Sequence, residues 1–304
     1  MYEDIYNVGY SFWNVIINAA ITLFTTSPIN ANGDVYTITH NLFNALYGIA
    51  IPLAEVFMLF GMYQDVVGSP KEQQLRRIAM NLLKFATILV VISNLWNLMG
   101  LIMEIADEVT VALGATGTYQ LTMPAEIQTL ISQATVFPEI DLEDAGLDIA
   151  LIMEAIFGFL GAIVEYLLWQ VLLLIASLAS MGVCIITSLS ILNSAFQRIL
   201  KPLIMIPFST ITVSMAAGTS EEGRSTWNYI KMFFGLCLSG AVMVICIKLG
   251  VALANGMVGT MFTDDITGES MFFRIIFISV KNMLIPVMIS GLVKGAESMI
   301  ARIF

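Results

Sequence analysis

Apolar residues in this chain come in long continuous blocks separated by short polar connections. That pattern predicts membrane-spanning helices; barrel strands would alternate apolar and polar positions instead. The first block, residues 5–24, has a second periodicity within it. Asn7, Ser11, Asn14 and Asn18 recur at helical spacing on one side, and Tyr6, Tyr10, Trp13, Ile17 and Phe24 line the other. A polar stripe opposite an aromatic one predicts an amphipathic helix lying in the interface or packed on neighbouring subunits. The turn-rich segment SPINANGD ends it.

Spans are then predicted at about 36–62, which carries Pro52 and Glu55, and at about 79–103, with Trp96 as an interfacial anchor. A long apolar block follows from Ile149 to Phe196. Two spans or one long helix would both fit its length. Between Asp148 and Asn193 no proline, asparagine or aspartate breaks it, and a tight turn in lipid would strand backbone polar groups, so one helix is favoured. At 1.5 Å per residue it reaches roughly 70 Å, more than twice a bilayer core. After it comes PLIMIPFSTITVSMAAG, short and interrupted by Pro202 and Pro207, the profile of a re-entrant or interfacial segment. Thr219 and Glu222 have capping-box spacing for the next helix start. Spans at about 232–258 and 271–293 complete the prediction. The expected fold is an all-α polytopic membrane protein with about five transmembrane helices, an N-terminal amphipathic helix and a proline-interrupted re-entrant or interfacial segment.

Charge orients this pattern. No lysine or arginine occurs between Lys84 and Arg198, and residues 104–148 hold nine acidic residues and no basic one. Basic residues are retained in cytoplasmic loops, whereas acidic ones are largely indifferent to side. Lys71, Arg76 and Arg77, then Arg198 and Lys201, then Arg224 and Lys231 are therefore expected inside, and 104–148 outside. The N-terminus is expected outside and Lys294 and Arg302 at the C-terminus inside. Four regions result: 1–34, the amphipathic helix and its loop; 35–103, a first helical hairpin; 104–148, an acidic extracytoplasmic loop; and 149–304, a C-terminal membrane core.

Composition agrees. Hydrophobic residues make up 58% of the chain and charged residues 12%, too little polar surface for a soluble domain of 304 residues. A net charge of −10 argues against nucleic-acid binding by bulk electrostatics. No cleavable signal is expected, because Glu3 and Asp4 stand where a basic region would. Cys184, Cys237 and Cys246 lie in predicted spans and read as small apolar residues. With one histidine, His40, a zinc or haem site is not expected. Nor does the acidic cluster Asp141 to Asp148 have the ligand spacing of an EF-hand. There is no nucleophile–base arrangement and no phosphate-binding loop, so neither catalysis nor a cofactor is expected.

Five ionisable residues fall inside predicted spans: Glu55, Glu154, Glu165, Lys248 and Lys281. Each is costly in hydrocarbon and needs a partner, a water-filled cavity or an interface. They could line a polar path or simply pair between helices, for instance Glu165 with Lys248. Small residues that admit close helix approach include Gly158, Gly161, Gly240, Gly250 and the GxxxG pair Gly291 and Gly295.

Residues 188–250 resemble the core of the TrbL-like polytopic inner-membrane subunit of type IV secretion and conjugation machines. The resemblance rests on a long apolar helix (Ile149 to Phe196), a proline-bearing stretch (Pro202, Pro207), a small-residue turn (Ala216 to Ser220) and a basic, aromatic helix start (Arg224, Trp227, Lys231). It implies a membrane channel or assembly-platform subunit that oligomerises, works beside the secretion ATPases and helps DNA or protein cross the cytoplasmic membrane. Arg76, Arg77, Arg198, Lys201, Arg224, Trp227 and Lys231 become candidate cytoplasmic contact residues. The family's outer loop is linked to handling transferred DNA; here residues 104–148 would repel phosphate, so either any DNA is contacted elsewhere or along a neutral wall, or the loop docks a basic partner protein. Two other readings compete: a small-solute transporter or ion channel, which predicts inverted repeats with matching broken helices, and a non-conducting membrane scaffold.

Overall fold

A computed structural model describes residues 1–26, 33–67, 70–115, 119–139, 149–255 and 270–303. They form α1 (Tyr2–Thr25), α2 (Gly33–Val67), α3 (Lys71–Ser93), α4 (Leu95–Thr110), a π-helical turn (Val111–Ala115), α5 (Ala125–Ala134), α6 (Ile149–Met215), α7 (Ser220–Asn255) and α8 (Met271–Ile303). No strand occurs among the described residues. Five helices are long and apolar enough to cross a membrane: α1, α2, and the bulk of α6, α7 and α8. The bent pair of α3 with α4 makes a sixth if it is taken as one span. The chain is an all-α polytopic membrane protein. The acidic cluster from Asp141 to Asp148 lies outside the described residues.

Two compact units make up the chain. One comprises Met1–Asn18, Thr118–Ile191 and Ile247–Leu292; the other comprises Ala19–Gly117, Leu192–Cys246 and Val293–Phe304. In the first unit, Leu130 and Ala134 of α5 pack with Leu173 of α6 and Ile275 of α8. The aromatic stripe of α1 is buried within the chain itself, with Trp13 and Ile17 fully covered, so α1 packs inward and does not lie free on a surface. Gly9 is needed for that packing: a Cβ there would stand 3.1 Å from the Met181 backbone.

The core of the second unit joins Phe43 and Ala54 of α2, Ile92 of α3, Met99 of α4, Ile206 of α6 and Phe233 of α7. The expected span 79–103 is broken here. At Asn94 the helix axis bends by 65° between α3 and α4. The Ser93 hydroxyl and the Asn94 side-chain amide both donate to the Val90 carbonyl at 2.9 Å, drawing the last turn onto itself. Past the bend, Leu95, Met99, Met103, Ala106, Asp107 and Thr110 recur at helical spacing, and all are buried.

The proline-bearing segment 202–218, expected as a separate re-entrant or interfacial piece, instead continues α6 as far as Met215. Pro202 and Pro207 both lie inside α6, which continues to Met215 and is 67 residues long. Proline removes a backbone donor and frees a carbonyl. Hydroxyls of α7 bond this part of α6 at other carbonyls: Tyr229 donates to the Met205 carbonyl and Thr226 to the Thr212 carbonyl. The helix ends at the small-residue turn, where a Cβ on Gly61 would come within 3.0 Å of the Gly218 backbone. The next helix starts as its spacing predicts, with the Thr219 N–H donating to the Glu222 carboxylate at 2.6 Å.

Candidate functional site: buried charges and a docked segment

In a membrane protein, buried ionisable groups mark where sequence departs from simple helix packing. Among the described charged residues Arg198 is the most deeply buried. It is 4% exposed, so it is not presented as a cytoplasmic contact residue. Because α6 runs on to Met215, Arg198 lies 17 residues before the helix end, about 25 Å at 1.5 Å per residue, and not at a helix terminus. Its Nη2 donates to Asp107 Oδ1 at 2.8 Å and to the Cys237 carbonyl at 3.3 Å. Its Nη1 donates to the Phe24 carbonyl in the last turn of α1. Terminal helix carbonyls lack intrahelical donors, and a cation there also complements the helix dipole. One guanidinium therefore ties α1, α4, α6 and α7 together. Gly240 makes room for it: a Cβ there would come within 2.3 Å of Arg198 Nε.

Asp107 is 8% exposed, although its sequence position falls in the expected acidic loop. The described part of that loop is largely folded. Residues 104–110 belong to α4, and 125–134 form α5. Leu121, Ile127 and Leu130 are buried. The placement of Asp107 and Glu126 escaped sequence reading because acidic density masks the short amphipathic pattern of Ile127, Leu130, Ile131 and Ala134.

In the first unit, the segment 119–134 is held by polar side chains from four helices. Asn14 of α1 pairs with the Leu121 backbone in both directions, accepting from its N–H at 2.8 Å and donating to its carbonyl at 3.1 Å. Asn255 of α7 donates to the Gln120 carbonyl at 3.3 Å, and Gln170 of α6 donates to the Ala134 carbonyl at 2.8 Å. Lys281 of α8 pairs with Glu126 at 2.9 Å, and Lys248 of α7 stands 5.7 Å from the Tyr119 ring centre. Both cations expected inside spans thus contact the same segment.

The three glutamates behave differently. Glu55, Glu154 and Glu165 are all exposed, and Glu165 does not pair with Lys248. Glu55 sits beside exposed Val56 and Leu59, and Glu165 beside exposed Val164 and Leu168. Arg76, Arg77, Arg224 and Trp227 are exposed, Lys201 is half-buried, and Lys231 lies 5.8 Å from the Trp227 ring centre. Lys84, midway along α3, donates to the Gly218 carbonyl in the turn before α7.

The class these features define is a polytopic helical membrane protein with an ion-paired interior and a segment docked between its helices. The chain matches no protein-family model, no curated protein and no solved structure.

Proposed function

We propose that this chain is a non-enzymatic subunit of a multi-protein membrane assembly, of the TrbL-like kind that serves conjugative type IV secretion. On this reading it lies in the cytoplasmic membrane and contributes to a channel or assembly platform for DNA or protein. One observation carries it. Large apolar side chains remain exposed along α6 from Met153 to Phe208, about 80 Å of helix at 1.5 Å per residue. A bilayer core covers about 30 Å. Lipid cannot shield the remainder, so other protein must, and sister copies or machine subunits are the natural cover. The exposed Glu55 and Glu165 fit the same picture, since a carboxylate on an apolar face is tolerated against a protein partner far better than against acyl chains.

The basic residues around Gly218, together with Arg224, Trp227 and Lys231, form the surface best suited to a cytoplasmic ATPase. Arg198 drops out of that surface. A self-contained transporter would need matching interruptions in two halves. Among the described helices α3 and α4 form a bent pair, and the prolines of α6 interrupt nothing.

Native mass spectrometry and particle imaging of the purified chain test the proposal. A ring or cluster of several copies supports it, and a stable monomer that stays monomeric with its secretion partners would falsify it. Orientation is tested separately by labelling single cysteines in intact cells. Positions beside Arg76 and Glu139 are expected to react from opposite sides, with the N-terminus outside.

A further inference from the structure

A cavity of about 300 Å³ lies within the first unit, at the start of α5. That volume is at the lower end of the range for small-ligand sites, about 300–1,000 Å³. The secretion reading assigns nothing to it. Its polar side chains are Tyr10, Thr122, Glu126, Asn255, Lys281 and Asn282, and Pro124 and Ala125 place the head of α5 against it. Ile127, Ile278, Ile285, Ala254 and Leu121 give it an apolar wall.

The donors at this site are arranged for an anion. The first N–H groups of a helix have no intrahelical acceptor, and they carry the positive end of its dipole. No side chain caps α5, and the Ile127 N–H turns back to the Pro124 carbonyl. Asn282 supplies an independent indication. It is 3% exposed, its Oδ1 accepts from the Tyr10 hydroxyl, and its Nδ2 has no acceptor among the described residues. A buried amide donor left without an acceptor costs about 1–3 kcal/mol, so its retention beside a cavity needs a reason.

Lys281 adds a cation, but Glu126 balances it at 2.9 Å and 3.2 Å. The ion pair as a whole is neutral, which leaves the helix dipole to balance one added negative charge and not two. The apolar wall facing these donors suits an aliphatic substituent.

We infer that this cavity binds a small monoanionic carboxylate with an aliphatic tail, its oxygens taken by the α5 N-terminus, Asn282 Nδ2 and Lys281. The ligand can arrive from water as a short-chain carboxylate, or from the bilayer as a fatty acid, and the two sources are separable. The full chain is reconstituted in phosphatidylcholine nanodiscs and titrated with hexanoate by calorimetry. In parallel, nanodiscs doped with deuterated oleate are examined by native mass spectrometry. Saturable binding at one molecule per chain is expected for at least one probe. Hexanoate binding identifies the aqueous source, and oleate retention without it identifies the membrane.

Asn282→Asp keeps an oxygen for Tyr10 but replaces the donor with a second anion, and is expected to weaken binding at least tenfold. Ala254→Phe fills the cavity from its apolar wall, leaves every polar group in place, and is expected to abolish binding. It serves as the test if the aspartate variant fails to fold. Absence of saturable binding of both probes to the wild-type chain, or wild-type affinity in either folded variant, overturns the inference.

Discussion

Arg198 shows how one side chain can hold several helices in register. Its guanidinium meets the Asp107 carboxylate and carbonyls from α1 and α7, all away from water. Removing one member of a buried pair strands the other, at a cost of about 3–5 kcal/mol. Arg198→Met is therefore expected to lower the unfolding temperature in detergent sharply. Adding Asp107→Leu to that variant should recover much of the loss, because two apolar side chains leave no buried charge. Gly240→Ala tests the same centre by volume alone. Its Cβ would overlap the guanidinium, and overpacking typically costs about 1–3 kcal/mol. A Gly240→Ala chain as stable as wild type would show that Arg198 can move aside freely. Sequence reading flagged both Gly240 and Arg198, but for helix packing and cytoplasmic contact; neither residue's neighbours in sequence reveal that they meet.

At the scale of elements, the lesson concerns breaks. Pro202 and Pro207 are the strongest helix-breaking signals in the sequence, yet α6 passes through both. Ser93 and Asn94 are weaker signals, and there the chain bends by 65°. The Ser93 and Asn94 side-chain bonds to the Val90 carbonyl lie at the bend itself. Ser93→Ala with Asn94→Leu is expected to straighten the α3–α4 junction. Spin labels on α3 and α4 would then report a longer separation; an unchanged distance would mean that packing around Met99 alone fixes the bend.

The docked segment 119–134 gives a second test at this scale. Asn14 makes two hydrogen bonds to Leu121, each worth about 1 kcal/mol. Asn14→Ala should accelerate amide exchange at Leu121 roughly tenfold or more while leaving the interior of α1 protected. Equal acceleration throughout α1 would indicate that the helix itself depends on the segment.

For the whole molecule, the exposed apolar length of α6 is the feature with consequences. Val164→Arg and Leu168→Arg alter a face that is exposed in the single chain. If sister copies or partners cover it, each variant should dissociate the assembly and leave the unfolding free energy of the isolated chain within about 0.5 kcal/mol of wild type. Intact assemblies in both variants would place this face against lipid or water.

The sequence alone determined that this is a helical membrane protein, where most of its helices lie, and that Lys248 and Lys281 needed company inside it. Those properties depend on local hydrophobicity and on the cost of charge in lipid, and both can be read one segment at a time. Tertiary structure decided what the company is. Glu126 and Asp107 belong by composition to an acidic stretch, and only contact with α8 and α6 turns them into interior partners. An ion pair or a borrowed hydrogen bond depends on distance in space, and residues 91 or 155 positions apart leave no shared local pattern from which to infer it.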